Sequence, residues 1–222
     1  PADTGLVFVR EDIDGDNLID AHIKYISNTD RGTNLDNGSF RIHTSEHVLA
    51  ALVGMEIDNV LIELNSPEPP IMDGSSKFFV EALEKAGIKY LENEREEYIV
   101  KDVISYYDKD SGSDITVIPS ENYEVTAMVD FGTKILGTQN ATMKNLSQFK
   151  DEFANARTFS FLHEIEMLLD NGLIKGGDLN NAIVYVDKKI SNDTMEKLKK
   201  AFNKDKVKVK PCLLYTSPSP RD

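Results

Sequence analysis

The sequence predicts an α+β protein, and two observations lead to this class. Apolar residues recur at helical spacing after residue 45 and again after residue 76. Three extended runs separated by turn-rich segments lie between residues 98 and 131, as expected of antiparallel strands. With 40% hydrophobic and 28% charged residues, the 222-residue chain can bury a substantial core in one large or two small domains.

Composition excludes several classes of function. The formal net charge of −13 opposes nucleic acid binding driven by phosphate neutralisation. The sequence contains no signal-peptide pattern and no apolar run that approaches the roughly 20 residues of a membrane-spanning helix. The single Cys212 excludes an internal disulfide framework. We therefore expect a cytoplasmic protein with no membrane span and no nucleic acid partner.

The first elements of the chain are extended. Residues 5–10 and 21–26 predict strands from their β-branched and aromatic content. The acidic run at residues 12–20 superficially resembles a calcium loop, but Ile23 stands where the loop requires its last glutamate, so we predict a solvated turn. His22 has no acidic partner at a useful spacing, and we expect a structural role for it.

A predicted helix then begins with two polar residues. Thr44 can cap it, because the threonine hydroxyl can accept a hydrogen bond from a first-turn N–H. Glu46 and His47 follow, and the apolar stretch behind them ends near Gly54. Burial without partners would cost about 2 to 7 kcal/mol for a neutral polar group and more for a charge. A metal bound by His47, with Glu46 taking a proton from water, would compensate them, and so would a capping glutamate and a satisfied core histidine.

The face of this helix that carries His47 continues through Ala50, Ala51 and Gly54. Residues three, four and seven positions apart lie on one side of a helix. Small side chains there leave room for another element to pack closely, so we expect one on this face.

The segment from His43 to His47 also matches H-x-x-E-H, the signature of inverzincin metallopeptidases. That reading needs both histidines on one helical face, against the Thr44 cap, and a glutamate ligand on a second helix. Glu121 and Glu124 lie beside a predicted strand instead. An inverzincin peptidase and a non-catalytic homologue stay open as alternatives.

The first half of the chain closes with a strand over residues 60–64 and a second helix that Gly87 stops. Ser75 or Ser76 can cap this helix, and Asp73 can serve as a turn or cap residue. The charge run at residues 91–97 marks a domain boundary.

Strands and helices also alternate in the second half of the chain. The predicted antiparallel meander covers residues 98–106, 114–118 and 123–131. Helical patterns follow at residues 145–155, after residue 161 and at residues 191–202, with a strand at 182–186. We expect His163 to be an exposed helical histidine.

Four motifs in one register, TSEH, LAAL, IDN and PIMDGS, resemble those of the zinc-dependent UDP-3-O-acyl-N-acetylglucosamine deacetylases of lipid A biosynthesis. ARTF and GGDLNNAIV, further along, match the same family. The resemblance implies two similar α/β-sandwich units with antiparallel-rich sheets packing around a central helical layer. The units would cover residues 1–94 and 95–211, the second with an inserted β-α-β segment that forms a passage for an acyl chain.

The resemblance also implies a reaction, the hydrolysis of the acetamide of UDP-3-O-(3-hydroxyacyl)-N-acetylglucosamine with release of acetate. His47 would bind Zn²⁺, Glu46 would be the general base, and the Thr158 hydroxyl would stabilise the oxyanion. The substrate partner would be this UDP-linked acylated amino sugar. Phe159 and Phe161 would line the sugar and acyl-chain route, although an ordinary core role is open to both.

The same resemblance places Asp73 behind the active site as a supporting residue. It also implies ligands that this sequence does not contain, because the family takes them from a later H-K-x-x-D segment, with a catalytic histidine beyond it. A catalytic zinc takes three protein ligands, so we expect residues 1–222 alone to bind zinc weakly or not at all and to be inactive, while the parent gene encodes the enzyme.

Two expectations concern the end of the chain. Residues 212–222 resemble a translated sequencing adapter and are expected to be disordered, as a natural Ser/Pro-rich tail would also be. Some family members carry a C-terminal hydroxyacyl-carrier-protein dehydratase domain, and the sequence leaves such a fused partner open.

Overall fold

The computed structural model describes residues 4–29, 32–133, 136–170, 181–186, 190–201, 208–210 and 213–215. Helices and strands are mixed along these residues, and the strands form five small sheets, so the predicted α+β class is confirmed. Among the described helices, none combines the length and the hydrophobicity that crossing a membrane requires.

We call residues 4–94 the first unit and the residues after them the second unit, after the predicted division of the chain. The described residues of the first unit form six strands and two α-helices. In chain order they are β1 (Leu6–Arg10), β2 (Leu18–Asp20), β3 (Ile26–Asn28), β4 (Asn34–Asp36), β5 (Arg41–Ile42), α1 (Glu46–Gly54), β6 (Val60–Leu64) and α2 (Lys77–Ala86). Strand β1 lies between β2 and β6, antiparallel to the first and parallel to the second. Strands β3, β4 and β5 form a separate antiparallel sheet in that order.

Both sheets of the first unit share one hydrophobic core with α1. Phe8 on β1, Leu35 on β4 and Leu52 on α1 are buried in this core. Alternate residues of β6 face it, and Leu64 is buried while Leu61 is exposed, as the period of two predicts. The apolar side of α1 is therefore packed against both sheets.

A buried arginine joins the two sheets. Arg10, at the end of β1, donates from Nε and Nη2 to the Asp12 carboxylate, each at 2.7 Å, and from Nη1 to the Arg41 carbonyl at 3.2 Å. A guanidinium can be buried only when such partners satisfy its donors. The hydrogen bonds from Arg10 lower the pKa of Asp12. The end of β1 and the start of β5 are thereby tied together.

Two local predictions in this unit are wrong. The expected strand at residues 21–26 is replaced by a 3₁₀ turn over Ile23–Tyr25, because Nδ1 of His22 accepts the Lys24 N–H at 3.0 Å and caps that turn. The acidic run expected to be only a turn ends in β2, because Leu18–Asp20 pairs with β1.

The second unit contains eight strands and two helices in the described residues. They are β7 (Ile104–Tyr107), β8 (Asp114–Val117), β9 (Val125–Asp130), β10 (Thr138–Met143), β11 (Phe159–Phe161), α3 (Leu162–Asp170), β12 (Ile183–Tyr185), α4 (Asn192–Ala201), β13 (Lys208–Lys210) and β14 (Leu213–Tyr215). A 3₁₀ turn, Leu146–Gln148, and a π-helical turn, Phe149–Phe153, connect β10 to β11.

The predicted meander is wrong, because β7 pairs with β8 and β9 pairs with β10 in two separate hairpins. The Phe131 N–H donates to the Gly137 carbonyl at 3.0 Å, so the chain returns beside β9 at once. Most side chains of these hairpins are exposed. The buried core of this unit lies elsewhere, between α3, β12 and α4, and contains Leu162, Val184 and Leu198.

The remaining sheet has the order β11-β12-β14-β13, with β11 parallel to β12 and the other pairs antiparallel. Strand β14 belongs to the segment expected to be disordered, and its backbone pairs with two neighbours. Residues 171–180, which include most of the GGDLNN match, lie outside the described residues, as do Cys212 and residues 216–222. The proposed domain boundaries and the origin of the tail stay predictions.

The two units contact each other on the face of α1 that carries the small residues Ala51 and Gly54. Ala51 of α1, Val80 of α2 and Ala154 after the π-helical turn are buried together. The Phe149 ring lies over Gly54, where an added Cβ would be 2.0 Å from a ring carbon. The expectation that another element packs closely on this face is confirmed.

Ion pairs accompany this contact. Lys150 pairs with Glu84 of α2, and Arg95 of the charged connector donates to the Asp58 carboxylate at 2.9 Å and to the Glu56 carbonyl at 3.1 Å. Exposed pairs of this kind contribute little stability. The pairs of Arg95 instead fix a position, because they hold the charged connector against the residues that follow α1.

We expect Gly54→Ala to destabilise the protein by about 1 to 3 kcal/mol, because the added methyl overlaps the Phe149 ring. Helix propensity alone has the opposite sign and favours alanine by about 1 kcal/mol. The measurement is urea-induced unfolding of both proteins. In a Phe149→Ala background the same substitution should be neutral or stabilising, and an equal loss in both backgrounds would contradict the overlap.

Candidate functional site

The site helix begins at Glu46, and Ser45 precedes it. The predicted cap is wrong, because Thr44 has a φ of 53° in the left-handed region and lies one residue too early. The Ser45 side chain does not cap the helix either, and its hydroxyl donates to the Thr33 carbonyl at 2.9 Å. The start of α1 is thus fixed by a neighbouring loop.

The Glu46 carboxylate is held by the same loop. Oε2 accepts the Thr33 N–H at 2.8 Å, while Oε1 lies 3.9 Å from Nε2 of His47. The Glu46 side chain is 36% exposed. A Cβ added to Gly32 would lie 3.4 Å from Oε1, so the loop approaches the carboxylate closely. Glu46 is therefore an anchored carboxylate whose second oxygen faces an imidazole.

His47 lies in the first turn of α1 with only 16% of its side chain exposed. Its carbonyl accepts the Ser76 hydroxyl at 2.9 Å, which ties α1 to the start of α2. A neutral imidazole nitrogen is a good zinc ligand, and an adjacent carboxylate can take a proton from water. The pair thus has the chemistry of a hydrolytic site.

His43 does not join His47 on a helical face. It precedes α1, and its Nδ1 lies 3.0 Å from the Asn34 side-chain oxygen. Its backbone N–H donates to the Pro67 carbonyl at 2.8 Å. This placement opposes the inverzincin alternative, which requires both histidines on one helix.

Asp73 organises the loop before α2. Its Oδ1 accepts the Ser75 N–H at 3.1 Å and the Ser75 hydroxyl at 2.7 Å, which is the turn role considered for it. Its carbonyl accepts Nε of Arg157 at 2.6 Å. The loop is therefore bound to the ARTF segment of the second unit.

Thr158 binds this loop through its backbone. Its N–H donates to the Gly74 carbonyl at 2.7 Å, and its carbonyl accepts the Ile183 N–H at 2.9 Å. Gly74 has a φ of 81°, and a Cβ there would lie 2.0 Å from the Asn181 carbonyl oxygen, so only glycine fits. The Ser76 hydroxyl of the same loop donates to the His47 carbonyl. The loop therefore connects Thr158 to His47, the candidate metal ligand.

The two phenylalanines expected to bind substrate lie on one face of β11. Their ring centroids are 5.9 Å apart, and Phe159 is 39% exposed while Phe161 is 9% exposed. Phe131 and Tyr185 complete the cluster, with centroids 5.2 Å and 5.7 Å from the Phe159 ring. The sequence does not predict that these two rings lie here, because Tyr185 reaches β11 only through the pairing of β11 with β12, and Phe131, which follows β9, reaches it only through the tertiary fold.

His163 also belongs to this cluster. It stacks on the Phe161 ring at a centroid distance of 5.5 Å and an interplanar angle of 15°. The expected exposed histidine is wrong, because the imidazole is half-buried. The signal available in the sequence was the spacing of two residues from Phe161 across the junction of β11 and α3.

The described part of the chain holds no group of three or more His, Cys, Asp or Glu side chains arranged for a metal ion. A catalytic zinc takes three protein ligands. His47 fits one of these positions by its donor chemistry, and Glu46 fits the role of the base beside it. The described residues therefore fit part of a zinc site.

A family model described as LpxC: UDP-3-O-acyl N-acetylglycosamine deacetylase matches residues 1–207. The "Bifunctional enzyme LpxC/FabZ" of Bacteroides thetaiotaomicron is 41% identical over 198 residues, which are 89% of this chain and 43% of that protein. The protein of the same name in Chlorobaculum tepidum is 41% identical over 199 residues, with the same coverage of 89% and 43%.

A third relative is named as a deacetylase alone. The UDP-3-O-acyl-N-acetylglucosamine deacetylase of Geobacter sp. (strain M21) is 36% identical over 207 residues, which are 93% of this chain and 67% of that protein. The chain spans less than half the length of the two bifunctional relatives. The family match includes the Glu46–His47 pair, the Asp73 loop and Thr158. The chain belongs to the UDP-3-O-acyl-N-acetylglucosamine deacetylase (LpxC) family.

Proposed function

We propose that the complete protein is a zinc-dependent deacetylase that hydrolyses the acetamide of UDP-3-O-(3-hydroxyacyl)-N-acetylglucosamine and releases acetate, in lipid A biosynthesis. The observation that carries this proposal is the anchored Glu46 carboxylate with one oxygen 3.9 Å from Nε2 of His47. Membership of the family supports the substrate class. The cytoplasmic location expected from the sequence stays a proposal as well.

Glu46 acts as the general base in this proposal. Its Oε2 is held by the Thr33 N–H, so Oε1 is the oxygen directed to the side of His47, where it can take a proton from water. His47 would hold Zn²⁺ together with ligands outside the described residues. The bound ion would supply Lewis acidity and lower the pKa of a coordinated water.

Thr158 would stabilise the oxyanion with its hydroxyl. The backbone bonds to Gly74 and Ile183 fix the position of this residue from both sides, and they leave the hydroxyl out of the anchoring. A donor that is placed in advance, where charge develops, is effective because it needs no reorganisation during the reaction.

The aromatic cluster around Phe159 suits the acyl chain of the proposed substrate. The partly exposed Phe159 side chain offers an apolar surface, and Phe131, Phe161 and Tyr185 pack against its ring at edge-to-face angles. The acyl-chain contact is a proposal for Phe159 and Phe161 alike.

Two further proposals concern the complete protein. The names of the bifunctional relatives support a fused dehydratase domain. The donor chemistry supports weak zinc binding, or none, by residues 1–222 alone, because His47 is one of the three protein ligands that a catalytic zinc takes and the described residues hold no group of three candidate ligands. The alternative to a deacetylase is a non-catalytic homologue. The activity of the wild-type protein in the Glu46→Gln experiment distinguishes these two functions.

We expect Glu46→Gln in the complete protein to lower kcat for acetate release by about 10²- to 10⁴-fold, because the amide cannot accept the proton. Glutamine can still accept the Thr33 N–H, so the fold and the zinc content should not change. Glu63→Gln, on the exposed side of β6, is the matched control and should keep full activity. Undiminished hydrolysis by Glu46→Gln would remove Glu46 as the base, and a wild-type protein without activity would favour the non-catalytic homologue.

Zinc content tests His47 separately. The complete protein should bind one zinc per chain by elemental analysis, and His47→Ala should lose most of it because one ligand is missing. His22→Ala, which changes an exposed histidine, should retain the zinc. A His47→Ala protein with one tightly bound zinc would show that the metal lies elsewhere.

Substitutions at Thr158 test the oxyanion role. Thr158→Val removes the hydroxyl at nearly constant shape and should lower kcat by about 10²- to 10³-fold, with a smaller effect on KM. Thr158→Ser keeps the hydroxyl and should recover most of the rate. Equal activity of the valine and serine variants in steady-state kinetics would exclude the hydroxyl from catalysis.

A further inference from the structure

We propose that Ser45 is a positioning residue for Glu46, acting through the loop residue Thr33. This inference rests on the proposed function, in which Glu46 is the general base. In the described part of the chain, Ser45 makes no hydrogen bond to the Glu46 carboxylate or to the His47 imidazole. It binds the carbonyl of Thr33, and the N–H of the same residue binds the carboxylate.

The contacts form a short chain of hydrogen bonds. Both the N–H and the hydroxyl of Ser45 donate to the Thr33 carbonyl, at 3.1 Å and 2.9 Å. The Thr33 N–H donates to Oε2 of Glu46 at 2.8 Å. Thr33 is therefore fixed at its carbonyl by the residue before α1 and at its N–H by the first residue of α1.

The burial of Ser45 argues that this hydroxyl has a specific task. The residue is 0% exposed, and a buried hydroxyl needs a partner. A serine at the start of a helix ordinarily accepts a hydrogen bond from an N–H of the first turn. Ser45 makes no such bond and donates to a residue 12 positions earlier instead. The hydroxyl therefore orders the loop rather than the helix.

A fixed position of Thr33 matters for the orientation of Glu46, because a carboxylate side chain can otherwise rotate. With Oε2 bound to Thr33, Oε1 points toward His47, and the oxygen that would take the proton is defined. Without the Ser45 hydroxyl, the Thr33 carbonyl keeps the backbone bond from Ser45, so the fold survives while the loop gains freedom. The expected loss is in the alignment of Glu46.

Amide hydrogen exchange measures this order without depending on activity. In the complete protein, Ser45→Ala should raise the exchange rate of the Thr33 amide about three- to tenfold, the range expected for losing one hydrogen bond. The Ile57 amide, which donates to the Leu52 carbonyl at 2.9 Å, serves as the internal reference and should not change. Ser66→Ala removes a hydroxyl bond to the Glu68 carbonyl and is the matched control, with no expected change at Thr33.

Kinetics provide the second readout. Ser45→Ala should lower kcat severalfold at constant KM, and Ser45→Thr, which keeps the hydroxyl, should restore both kcat and the protection of the Thr33 amide. The inference is overturned if the Thr33 amide is unaffected, or if the Thr33 and Ile57 amides speed up together, since the latter is general destabilisation. If Glu46→Gln keeps its activity while the Thr33 amide responds, the proposed function fails and the positioning contact stands.

Discussion

The close packing of the second unit against α1 determines where the residues of the candidate site lie. The helix presents Ala51 and Gly54 to the other unit, and the Phe149 ring occupies the space that a side chain at Gly54 would need. The opposite side of α1 is buried in the core shared by both sheets of the first unit. Because α1 is fixed on both sides, the polar residues of its first turn have defined positions.

From this arrangement the candidate site follows in two steps. The loop at Thr33 holds Glu46 beside His47, and the loop at Asp73 binds the carbonyl of His47 on one side and the backbone of Thr158 on the other. Residues far apart in the chain thereby lie in one region. Among the hydrogen bonds of the described residues, none joins Thr158 directly to His47. The candidate site therefore contains residues from both units.

The sequence predicted the elements whose hydrophobic pattern is local. Strands β1 and β6 and helix α1 were recognisable because their own alternation or helical spacing reports burial. The hairpin of β9 with β10 was not, because its pairing depends on a turn that the meander interpretation overlooked. The Ser45–Thr33–Glu46 contacts were equally hidden, since they depend on how the loop after β3 returns to α1. Motif resemblance named Glu46, His47 and Thr158, and their roles stay predictions.

We propose that the imidazole of His47 is one ligand of a zinc ion within reach of Glu46. Anomalous diffraction at the zinc edge, from crystals of the complete protein, locates that ion. We expect a peak about 2.0 to 2.1 Å from a ring nitrogen of His47. A fully occupied zinc peak distant from His47, with Glu46 facing no metal, would contradict it.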